Sequence, residues 1–189
     1  MNKTQRIIVG ISGASGIQYG IHLLELLKET DIETHLIVSK SAHQVRHHES
    51  DLSAEQLLAL ADRHYAFNDI GCAVASGSYK TLGMIIAPCS MHTLAEVALG
   101  LSSNALTRAA DVMLKERRKL VLLPRETPLT EAHLNHMLSI TKMGGIIAPP
   151  VPAFYQQPKS IDDIMNHTLG RVLDLFDIDL NIVKRWGES

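Results

Sequence analysis

Short unbroken apolar runs alternate along this chain with segments whose apolar residues recur every three or four positions. Residues 6–11 (RIIVGI), 33–38, 81–87 (TLGMIIA) and the run Leu120 to Leu123 are of the first kind, the pattern of strands buried on both faces of a parallel sheet. Residues 146–148 add a shorter run. Ile17, Ile21, Leu24 and Leu27 recur at helical spacing, and residues 41–48 read as a second helix. Ser53 with Gln56 makes a capping box that opens a helix through Leu57, Leu58, Leu60 and Ala61. Helices are further predicted over 92–99 and 104–118, and from Thr130 to the Gly144-Gly145 pair. Ser160, with Asp163 in the first turn, caps the last long helix, and Arg171 is expected midway along it. The stretch GCAVASGSY, 71–79, carries neither period and predicts no element.

About five strand–helix alternations in 189 residues predict one doubly wound α/β domain over 1–189. Its form is Rossmann-like or flavodoxin-like, a parallel sheet with helices on both faces.

Composition narrows the function classes. With 18 Lys+Arg against 20 Asp+Glu, the net charge of −2 offers no basis for binding nucleic acid or an anionic membrane. Cys72 and Cys89 do not make a disulfide framework. The N-terminus passes directly into a strand-like run, and no apolar segment approaches membrane-spanning length. A soluble cytoplasmic protein is the expectation.

The most distinctive stretch is KERRKLVLLPRETPL, 115–129. Arg125 and Glu126 stand between Pro124 and Pro128 where a buried strand ends, and open α/β sheets bind ligands beyond the carboxyl ends of their strands. Ser12-Gly13-Ala14-Ser15-Gly16 is a small-residue turn between strand and helix, suited to an anion. Its glycines miss the dinucleotide spacing, and the second strand ends in Ser39-Lys40 where an NAD site wants an acid, so a phosphate or flavin fits better. Ser15, Ser39 and Ser90 place hydroxyls at three strand ends. Arg108 and Lys115, seven apart, put two cations on one helix side; with Arg171 and the Tyr155 phenol they suit an anionic substrate without metal. Ten histidines include the pairs His43/His47 and His133/His136, but neither sits in an H-E-x-x-H arrangement. Cys89, tied to no histidine by a motif, reads as a small buried hydrophobe.

The chain resembles the UbiX-type flavin prenyltransferases. The matching stretches are GISGASG at 10–16, ETHLIVSK at 33–40, ASGS at 75–78 and PCSMHTLA at 88–95. They continue with RAADVMLKERRKLVLLPRETPL at 108–129, PPVPAFYQQP at 149–158 and RWG at 185–187. The resemblance implies that a dimethylallyl group passes from dimethylallyl monophosphate to N5 and C6 of reduced FMN. The product, prenylated FMN, serves UbiD-type decarboxylases. It implies a flavin-binding set of Gly13, Ala14, Ser15, Ser39, Ser90, Met91, His92, Thr93 and Arg125. Lys115, Tyr155 and Arg171 would hold the prenyl phosphate, with Arg108 and Glu49 reaching in from neighbouring subunits of a homo-oligomer, a dodecamer in this family. Glu126 with Ser15 would handle protons, Trp186 would help wall off water, and no metal would take part. An FMN-dependent cysteine decarboxylase of similar fold and a non-catalytic flavin carrier are the competing expectations.

Overall fold

Six strands form one parallel sheet among the described residues, which in this computed structural model are 5–183 and Gly187. They are β1 Gln5–Ile11, β2 Ile32–Val38, β3 Arg63–Tyr65, β4 Gly83–Cys89, β5 Lys119–Pro124 and β6 Ile146–Ile147. The spatial order is β3-β2-β1-β4-β5-β6. This is the dinucleotide-fold order, and without the three-residue edge strand β3 it is the flavodoxin order. Both orders reverse direction between β1 and β4, so the sheet has its topological switch point there.

Seven helices are described: α1 Ile17–Lys28, α2 Lys40–Glu49, α3 Ala54–Leu58, α4 Met91–Ala98, α5 Ala105–Lys115, α6 Glu131–Lys142 and α7 Ile161–Asp174. The period-2 alternation of side chains sends Ile7, Val9, Ile11, Ile85, Val121 and Leu123 into a core shared with α1 and α7. Ile8, Met84, Ile86, Leu120 and Leu122 enter the opposite core with α4, α5 and the single buried residue of α6, Ile140. The central strands are therefore apolar throughout because both faces are covered.

Where the elements differ from expectation, the reasons are local. The helix predicted to run to Arg118 stops at Lys115: Arg117 takes a left-handed conformation (φ 57°), and the Arg118 amide donates to the Met113 carbonyl at 2.8 Å. Glycine normally holds that position, so no stop signal stood in the sequence, whereas Gly144 (φ 95°) ends α6 as expected. Arg171 lies in the last turn of α7, not midway. β3 was not expected because its Arg-His-Tyr has no apolar run; Arg63 pairs with Glu33 of β2 at 2.7 Å, and the Tyr65 hydroxyl meets Nδ1 of buried His35 at 2.8 Å. Segment 71–79 contains a 3-10 turn, Ala73–Ala75, that buries Val74 and Ala75 in the core containing α5. The Arg118 guanidinium secures that segment by donating to the carbonyls of Gly77 and Tyr79 at 2.6 and 2.7 Å.

Gly20 lets α1 sit close on the sheet: a Cβ there would stand 2.4 Å from the Ala87 carbonyl oxygen. Gly20→Ala must push α1 away from β4, at a cost of about 1–3 kcal/mol typical of overpacking. A lowered urea midpoint with unchanged slope is the expected result.

Candidate active site

The loops beyond the carboxyl ends of β1, β2, β4 and β5 are laced together by hydrogen bonds that continue past the strands. The Ser39 amide donates to the Ile11 carbonyl at 2.9 Å, and the Arg125 amide to the Cys89 carbonyl at 3.2 Å. Across the switch point, buried Ser12 donates from its hydroxyl to the Pro88 carbonyl at 3.0 Å and accepts from the Ser90 amide at 2.7 Å. The Ala87–Pro88 and Thr127–Pro128 peptides are cis.

This lacing brings Gly13, Ser39, Ser41, Ser90, His92, Thr93, Glu96 and Phe67 around one cleft of about 460 Å³. Ser39 caps α2, its hydroxyl accepting from the Ala42 amide at 3.1 Å; Ser90 caps α4, accepting from the Thr93 amide at 3.2 Å. Two helix N-termini thus border the cleft, and helix N-termini favour anions. With hydroxyls, the small residue Gly13, an aromatic wall and these two termini, the donor set fits a flavin phosphate such as FMN. Cys89 is fully buried and burial pushes its thiol up, so it behaves as the expected small hydrophobe and is not a nucleophile.

The third helix N-terminus, that of α1, already holds an anion. Glu49 accepts from the amides of Gly16 and Ile17 at 2.8 and 3.2 Å. Partial burial alone would raise its carboxyl; the Ser15 hydroxyl, the two amides and the charge of Arg125 outweigh that and hold it below its ordinary value. Ser15, Glu49 and Arg125 therefore meet at the switch point. Glu49, expected to act at a neighbouring subunit's site, has its carboxylate bound at its own chain's turn. The turn's Gly16 and Ile17 amides are occupied by that carboxylate.

The remaining candidates are spread out. Glu126 is exposed and accepts from the Thr127 amide at 3.0 Å. Ala14 is buried in the Gly-rich turn, and Met91 and exposed His92 open α4, where His92 approaches Glu96 at 3.6 Å. Arg108 pairs with Asp111 at 2.7 Å, and Lys115 pairs with Glu116, so each cation of that helix has an acidic neighbour. Lys115, expected beside the prenyl phosphate, ends α5 next to the amino-terminal edge of β5, while Arg125 follows its carboxyl edge. A strand of that length separates them by about 20 Å. One chain does not bring them together. On α7, Arg171 pairs with Asp174 at 2.7 Å, and the Tyr155 hydroxyl lies 3.1 Å from Nε2 of His167. Trp186 lies outside the described residues. Among the described residues no three potential metal ligands lie together, and no helix is long and apolar enough to cross a membrane.

The family model described as Flavoprotein matches residues 1–173. Flavin prenyltransferase UbiX of Neisseria meningitidis serogroup B is 53% identical over 96% of this chain and 96% of its own. The chain belongs to the UbiX-type flavin prenyltransferases. A crystal structure of AnUbiX in complex with FMN and dimethylallyl pyrophosphate superposes with a TM-score of 0.95 at 46% identity, covering 98% of both chains. A dodecameric FMN-dependent UbiX-like decarboxylase from Escherichia coli gives 0.94 at 45% identity, over 97% of this chain and 100% of that one. The FMN-dependent cysteine decarboxylase TvaF, at 18% identity and a TM-score of 0.63, shares the fold alone.

Sequence reading of this prenyltransferase-family chain missed Ser12, Ser41, Glu96 and His167. Ser12 lay inside the quoted turn, but it is 76 residues from Pro88 and 78 from Ser90, so its bonds to them exist only in three dimensions. Glu96 is one helical turn beyond the PCSMHT segment, a spacing that could have flagged it.

The Glu49 carboxyl makes the family turn pH-sensitive. Its folded-state pKa is depressed, so its contribution is present above the ordinary glutamate value and is lost as pH falls through the lower folded value. Glu49→Gln should cost about 1 kcal/mol at neutral pH, as removal of a good cap does. In urea titrations the gap from wild type should close once the solution is acid enough to protonate Glu49.

Proposed function

We propose that this chain transfers the dimethylallyl group of dimethylallyl monophosphate to reduced FMN, making the prenylated FMN used by UbiD-type decarboxylases. The observation that carries this reading is the 53% identity to a flavin prenyltransferase over 96% of both chains. Reduced FMN supplies the N5 and C6 positions at which the prenyl group is joined. The chain acts as one domain over 1–189 in the cytoplasm, as a homo-oligomer on the dodecameric pattern of the Escherichia coli relative.

The residues divide the work. Gly13, Ala14, Ser39 and Ser90 to Thr93 line or border the cleft and hold the flavin, with its phosphate toward the N-termini of α2 and α4. Arg125, whose charge Glu49 partly balances, secures the flavin's other end. A departing phosphate needs its growing negative charge met by donors already in place; Arg171 and the Tyr155 hydroxyl supply them from this chain, and Lys115 and Arg108 from an adjoining one. The separation of Lys115 and Arg125 along β5 supports a composite site. Glu126 and Ser15, on adjoining loops at the carboxyl edge, move protons between acceptor and leaving group. An allylic cation is quenched by water, so aromatic cover from Tyr155 protects the transfer.

Dimethylallyl diphosphate is a second possible donor, favoured by the dimethylallyl pyrophosphate present with AnUbiX. Anaerobic incubation of the protein with reduced FMN and each donor, followed by mass analysis of the extracted flavin, tests both. A flavin heavier by one dimethylallyl group is expected with the monophosphate; unmodified FMN with both donors would overturn the function. Glu126→Gln should slow transfer about 10²-fold or more, the scale of a lost general acid–base group. Full activity in that variant would remove Glu126 from proton transfer. Lys115→Ala should raise KM for the prenyl phosphate about tenfold, with FMN affinity unchanged.

A further inference from the structure

We propose that His167 is a positioning residue for the prenyl-phosphate site, donating from Nε2–H to the Tyr155 oxygen and thereby aiming the Tyr155 O–H at the phosphate. The proposal rests on the function put forward above. Tyr155 sits in the 3-10 turn Phe154–Gln156, within a proline-rich segment that contains no longer element. Such a turn has little of its own to fix a side chain, and Tyr155 is 56% exposed. One contact that joins it to α7 is His167: Nε2 lies 3.1 Å from the hydroxyl, and the rings meet edge to face with centroids 5.7 Å apart. Helical spacing places His167 one turn before Arg171, whose charge is felt at the His167 ring.

The hydrogen-bond direction decides what Tyr155 can do. A hydroxyl has one proton to give. If the phenol donated to the imidazole, only its lone pairs would face an incoming phosphate, which is itself an acceptor. The Nε2–H tautomer reverses this and lets the O–H act as a donor to the phosphate. A neutral ring is needed for a defined tautomer, and burial together with the nearby Arg171 charge favours the neutral form. His167 also borders a cavity of about 290 Å³ beneath the segment, with Gln156, Lys159, Asp163 and Asn166, so its ring is held between the turn and the helix.

The test combines kinetics with a direct reading of the tautomer. His167→Ala should raise KM for dimethylallyl monophosphate about tenfold, with kcat and FMN affinity within about twofold of wild type. His167→Gln, whose amide can still donate, should recover part of that loss. In a Tyr155→Phe background, His167→Ala should add little, because both changes remove the same oriented hydroxyl. Selective ¹⁵N-histidine NMR should show His167 neutral and protonated at Nε2. Unchanged KM in His167→Ala, additive losses in the double variant, or an Nδ1–H tautomer would each overturn the role. Wild-type protein assayed in parallel separates the two failures. If it transfers no dimethylallyl group, the function itself is wrong and the proposal falls with it; if it transfers normally, only the role of His167 is at stake.

Discussion

The hydroxyl of Ser12 is the joint on which the site depends. It bridges the Pro88 carbonyl and the Ser90 amide, tying β1 to β4 at the point where their outgoing loops part company. A parallel sheet leaves the groups beyond its strand ends without ladder partners, and buried polar groups are costly if unpaired. Ser12 satisfies them with a side chain small enough to fit between two strands. The consequence is positional: the Gly-rich turn, the cap of α4 and, through Cys89, the backbone of Arg125 are all referred to one fixed point. The chemistry at the cleft is built from loops, but the loops are pinned as firmly as the sheet.

A second economy lies in the charges. An Arg exposed on a loop is ordinarily a loose group, and a Gly-rich turn at a helix N-terminus ordinarily attracts an outside anion. Here one carboxylate, Glu49, answers both: it fills the amides of α1 and sets a negative field beside Arg125. Of the three helix N-termini at this end of the sheet, that of α1 is thus already satisfied from within the chain.

The sheet was largely legible in the sequence because burial on both faces makes central strands read as apolar runs, as with residues 6–11 and 120–123. β3 was hidden, since a short edge strand held by Arg63–Glu33 and Tyr65–His35 has no reason to be apolar. The end of α5 was misplaced because an arginine performs the turn usually left to glycine. Gly13, Ser39, Ser90, His92 and Thr93, grouped by motif order in the expected flavin set, line one cleft. What no spacing could convey was ownership. Glu49 binds the turn of its own chain, and Lys115 lies at the edge of the sheet opposite Arg125. Sequence distance along a helix says which side a residue takes, but not which end of the sheet the helix delivers it to.

The separation of Lys115 and Arg125 across β5 reaches beyond chemistry into inheritance. In the composite centre proposed above, no chain would be sole owner, because each would lend one residue and borrow the other. In a cell carrying two damaged copies of the gene, one altered at Arg125 and one at Lys115, mixed assemblies would contain some centres in which both residues are intact. Such lesions would rescue one another, while two lesions at the same position would not. The geometry of one strand thus sets which alleles can share a cell and still leave it functional.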